Sequence, residues 1–86
     1  MVIFITNKAA YQEMQDTIKT LEHSVWCAAE VLTLEQTNEL YKAGAELSVL
    51  DYEVDLANQA VLDEALETIR VHHPDQEIML GRNKKA

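Results

Sequence analysis

Cysteine, glycine, proline and basic residues are all scarce in this chain of 86 residues. Its one cysteine, Cys27, can close no internal disulfide, so nothing demands an oxidising compartment. Seven Lys and Arg stand against fifteen Asp and Glu, for a net charge of −8. Arg82, Lys84 and Lys85 sit in the last five residues, so the preceding 81 carry −11. Such a body repels phosphate backbones and anionic lipid, which disfavours direct binding to nucleic acid or to a membrane. No apolar run approaches a membrane span, and Met1-Val-Ile-Phe-Ile-Thr-Asn7 has neither the charged start nor the long apolar centre of a signal peptide. The expectation is a soluble cytoplasmic protein. At 48% hydrophobic residues, the chain can build a modest core, and its length suits one domain, residues 1–81, with a basic polar tail, residues 82–86.

What is present is patterned. Val2-Ile-Phe-Ile5 is a β-rich apolar run without alternation, which suits a strand covered on both faces. Asn7 can cap a helix in which Tyr11, Met14, Ile18 and Leu21 repeat at helical spacing. Ser24 to Leu32 reads two ways: Val25, Cys27 and Ala29 alternate as in a strand, while Val25, Ala28 and Leu32 prolong the helical repeat. Thr33 and Gln36 form a capping box that opens a new helix bearing Leu34, Leu40 and Tyr41, and Gly44 closes it. Alternating apolar and acidic residues predict a strand within Glu46–Asp55. Leu62, Leu66 and Ile69 line a third helix, which His73-Pro74 ends. Glu77-Ile-Met-Leu80 reads as a last short strand.

The order β-α-β-α-β-α-β predicts an α/β fold: a four-stranded, mostly parallel sheet with three helices and right-handed crossovers. With so few glycines and prolines, an all-α bundle is the alternative. The phrase Tyr41-Lys-Ala-Gly-Ala-Glu-Leu-Ser-Val-Leu-Asp51, a helix, a turn and an aliphatic strand ending in aspartate, favours the α/β reading.

Ala45-Glu-Leu-Ser-Val-Leu-Asp51 is similar to the third strand of response-regulator receiver domains, and His72-His-Pro-Asp-Gln-Glu-Ile-Met-Leu-Gly81 to their third-helix exit and fourth strand. The other elements follow in the family's order. The resemblance implies a flavodoxin-like or receiver-like fold with Asp51 as the phosphoacceptor position, and Mg2+ as cofactor if Asp51 is phosphorylated. Departures accompany it. Thr6 and Asn7 stand where receivers carry acidic metal ligands, Gly81 replaces a Ser or Thr, and the sequence stops before the family's fifth strand with its lysine. Phosphoryl transfer needs a metal and positive groups around the transferred oxygens, so the expectation is a degenerate pseudo-receiver that is not an enzyme.

The remaining candidates are positional. In open α/β sheets ligands sit at the carboxyl ends of the strands, where Thr6, Asn7, Lys8, Asp51 and Gly81 are expected to converge. His72 and His73, adjacent on a helix, point about 100° apart and suit a solvated helix end better than a metal site. Cys27 reads as a small core residue. Asp51, Glu53, Asp55, Asp63, Glu64 and Glu67 concentrate negative charge. If the fourth strand is also last in space, Ile78 and Leu80 lie on an open edge that pairs with something unless blocked. The function expected is a regulatory protein–protein interaction domain, or homo-oligomer, acting through the acidic face and the open edge. The alternatives are an Asp51 phosphoacceptor in signalling and an acidic nucleic-acid mimic that inhibits a nucleic-acid-binding protein.

Overall fold

Val2–Ile5 forms strand β1, and all of its side chains are buried. The structure, a computed structural model, describes residues 1–81; the basic segment 82–86 lies outside the described residues. After β1 the Asn7 side chain accepts from the Ala10 N–H at 2.8 Å and so starts helix α1, Lys8–Ile18. Tyr11 and Ile18 of the expected stripe are buried and Met14 is half-buried. Leu21 falls past the helix end with a φ of 60° and is exposed.

That left-handed turn stops the helical repeat, and Ser24–Cys27 becomes strand β2. Helix α2, Leu34–Lys42, opens on the expected capping box: Thr33 Oγ1 accepts from the Gln36 N–H at 3.1 Å, and Gln36 Oε1 accepts from the Thr33 N–H at 2.9 Å. Gly44, at φ 91°, turns the chain into strand β3, Leu47–Val49. Helix α3, Gln59–His72, is capped by Asn58 and ends before Pro74, and strand β4 is Ile78–Gly81.

The strand expected within Glu46–Asp55 is short. Leu50 still bonds across to β2, its N–H donating to the Cys27 carbonyl at 2.8 Å, but the chain then bends at Asp51 and Tyr52. The Ala29 N–H donates to the Tyr52 carbonyl at 2.9 Å, so the segment folds over the end of β2 and inserts Val54 into the core. Alternation beyond Val49 therefore reports a loop with inward-turning residues.

All strands are parallel and the order is β3-β2-β1-β4. The fold is α/β with a four-stranded parallel sheet and three helices, and the all-helical alternative is set aside. This is one of the two common orders of doubly wound sheets; in the receiver order β3 would lie beside β1. The succession of elements is the one expected, while the strand order departs from the one that the receiver resemblance implies. Right-handed crossovers put α1 and α2 on one face, since β1, β2 and β3 step in one direction. The step back to β4 puts α3 on the other. Ile3, Ile5, Val25 and Cys27 face the first pair, and Phe4 and Trp26 face α3, whose Leu62, Ala65 and Ile69 are buried. Each fully buried aliphatic or Phe side chain contributes ~1.5–3 kcal/mol, so β1 anchors the domain.

Candidate functional site

The strand order fixes which residues share the carboxyl edge. The direction of winding reverses between β1 and β4, and Ile5 pairs with Gly81 there. Thr6, Asn7, Lys8 and Gly81 therefore share the carboxyl edge of β1 and β4. Asp51 does not join them. It follows β3 at the opposite side of the sheet, two strand spacings from β1, about 10 Å. Its expected convergence with Thr6 and Lys8 is corrected: β2, not β3, is the neighbour of β1.

The polar groups at this edge are engaged in local structure. Asn7 spends its oxygen on the α1 cap, and its amide lies 3.5 Å from Thr6 Oγ1, which is buried. Gly81 lies against α1, where an added Cβ would come 2.5 Å from Ile5 Cδ1 and 3.5 Å from Met14 Cγ. Lys8 is exposed. Among the described residues no group of three His, Cys, Asp or Glu is placed to hold a metal ion.

Asp51, Glu53, Asp55, Asp63, Glu64 and Glu67 are all exposed, along the loop after β3 and the outer side of α3. Two of them have structural work. Asp55 Oδ1 accepts from the Ala57 N–H at 2.9 Å to close the turn into α3, and Asp63 accepts from Gln59 Nε2 at 2.7 Å. Glu67 lies 3.9 Å from Arg70, a solvated pair that contributes little.

The two sheet edges differ. On β3, the Glu46 carbonyl accepts from the Val25 N–H at 2.8 Å, so Ser48 faces β2 while Leu47 and Val49 turn their main-chain groups outward. The Leu47 carbonyl is covered: Tyr41 Oη donates to it at 3.2 Å. On β4, the Glu77 carbonyl accepts from the Val2 N–H at 2.8 Å. Alternation then directs Met79 and Gly81 to β1 and leaves the N–H and C=O of Ile78 and Leu80 facing outward. Among the described residues no side chain meets those groups. Ile78, Met79 and Leu80 are each half-buried.

The sequence reading missed a second feature. Trp26 Nε1 donates to His73 Nε2 at 3.2 Å, and the His72 ring lies 5.2 Å from the indole, tilted by 56°. His73 is thereby turned into the protein, which corrects the solvated helix end expected of it, while His72 is exposed and bonds the Thr68 carbonyl at 2.9 Å. Beside this pair is a cleft of about 340 Å³ lined by Ser24, Trp26, Glu46, Leu47, Ser48 and His73. Ser24 Oγ donates to Glu46 Oε2 at 2.6 Å across its floor. No local pattern could signal a contact between residues 26 and 73.

Burial pushes the Cys27 thiol up to about 12, so it is protonated and inert. Burial also raises the Tyr11 phenol above its usual range, against an opposing hydrogen bond with Gln15.

Fold and geometry together define a small doubly wound α/β domain with, among the described residues, one partly covered and one open sheet edge. Among known proteins, no family model, no curated protein and no solved structure matches the chain. Among the described residues no helix is long and apolar enough to cross a membrane.

Proposed function

We propose that this chain is a non-catalytic, regulatory interaction domain that docks proteins through the β4 edge, with its exposed acids steering the approach. The observation that carries the reading is the open edge. Ile78 and Leu80 direct main-chain donors and acceptors away from the sheet, with half-buried apolar side chains on both faces of the strand. Such an edge is a template for another strand: the main chain supplies affinity and alternate side chains supply specificity. The acidic loop and α3 surface disfavour nucleic acid as the partner. A cytoplasmic setting fits this reading, with the one thiol, Cys27, kept reduced in the core.

A tagged copy, offered both an untagged copy and cell extract, tests the reading. Leu80→Pro removes an outward N–H and leaves the ladder to β1 intact, so it should abolish specific capture. Capture that survives Leu80→Pro but is lost on neutralising Glu53, Asp63 and Glu67 would move the docking site off the edge.

A further inference from the structure

We infer that the occupant of the β4 edge is a second copy of this chain, paired antiparallel about a two-fold axis at Met79. The inference rests on the edge-docking reading above and adds the partner's identity. Its first support is the hydrogen-bond pattern. Ile78 and Leu80 are two residues apart, and both turn N–H and C=O outward. Setting Ile78 of one copy opposite Leu80 of its partner lets each pair exchange both bonds, and the two-fold repeats the exchange. Every outward main-chain group of the strand then finds a partner, and one sheet runs continuously through both copies.

The second support is side-chain chemistry in that register. Ile78 and Leu80 stand on the α3 face beside Phe4, so across the axis Ile78 meets Leu80 of the partner subunit. Met79 stands on the α1 face and meets its own copy in the closer, non-hydrogen-bonded type of pair. All three are half-buried in the single chain and would gain cover.

The third is the contrast between the two edges of the sheet. At the other edge, β3 is three residues long and Tyr41 already occupies the Leu47 carbonyl, so the pairing is specific to β4.

Sedimentation equilibrium of the purified chain across a concentration series tests this. The wild type should show a monomer–dimer equilibrium. Leu80→Pro should weaken it roughly thirty-fold, because the symmetry removes the donor twice. Met79→Lys sets like charges on the axis and should leave a monomer; circular dichroism checks that both variants fold. Val49→Lys, at the β3 edge, should dimerise as the wild type does. A strict monomer at every concentration overturns the inference, as does a dimer indifferent to both β4 variants. A monomer whose capture of other proteins still depends on Leu80 overturns the second copy alone and leaves edge docking standing.

Discussion

The Tyr41 hydroxyl donates to the Leu47 carbonyl at 3.2 Å, so a helix side chain closes part of the β3 edge while, among the described residues, the β4 edge stays open. Tyr41 is about half exposed, and its ring lies over the strand end and fills no core space. Tyr41→Phe should therefore cost only about 1 kcal/mol, the net worth of one hydrogen bond. It should also speed amide exchange at β3. Urea unfolding and hydrogen exchange report both, and unaltered exchange at β3 would deny Tyr41 its covering role.

Trp26 is the chain's one tryptophan, so its fluorescence reads the contact with His73 without interference. Nε2 of His73 accepts the indole N–H. His73→Ala removes that acceptor and should shift Trp26 emission and cost about 1 kcal/mol in urea unfolding. His72→Ala leaves the bond in place and should change both less. Emission unchanged in His73→Ala would deny the contact.

Cys27 makes a prediction with a definite sign. Its thiol titrates near 9.0 in an unfolded chain and at about 12 in the fold, so at intermediate pH the folded state holds more protons. Stability from this group is fully present below 9.0 and falls as pH rises toward 12, by about 1.4 kcal/mol per pH unit. The raised Tyr11 phenol adds a loss of the same sign at high pH. Urea unfolding of wild type and Cys27→Val, at neutral pH and within this window, should show a smaller alkaline loss in the variant. A thiol reagent should modify the native protein only as fast as it unfolds.

The two described glycines should fail for different reasons. Gly44 has open space around its missing Cβ but a φ of 91°, so Gly44→Ala should cost ~1 kcal/mol through the backbone, and Gly44→Asn less. At Gly81 a Cβ would come 2.5 Å from Ile5 Cδ1 and 3.3 Å from the Phe4 carbonyl. Gly81→Ala should cost ~1–3 kcal/mol by overpacking. Thermal melts of the three variants distinguish them.

How much of this was legible depended on distance along the chain. Asn7, Thr33 and Gln36 act on residues three positions away, and their caps could be read directly. Val2–Ile5 announced a strand buried on both faces because all four residues are apolar. The all-α alternative stayed open only because Ser24–Leu32 fits two periods; the left-handed φ at Leu21 decides it, and no residue type marks that turn. Strand order was hidden for a deeper reason. The same β-α succession serves both common doubly wound orders, and the choice rests on which strand packs beside β1. That choice separates Asp51 from Thr6, Asn7 and Lys8. The Trp26–His73 contact, the Tyr41 cover on β3 and the outward phase of Ile78 and Leu80 likewise exist only once distant segments meet.

The pairing of β4 with β4 is tested most directly by a cysteine on the proposed axis. Directly opposed residues in a non-hydrogen-bonded antiparallel pair bring their Cα atoms to about 4.5 Å, within the range a disulfide spans. Cys27 is buried and silent, so Met79→Cys introduces the one reactive thiol among the described residues. Mild oxidation should convert Met79→Cys to a disulfide-linked dimer far faster than Val71→Cys, a control on the exposed side of α3. Equal rates for the two, or a Met79→Cys protein that sediments as a dimer yet never cross-links, would contradict the β4 edge as the place where this chain pairs.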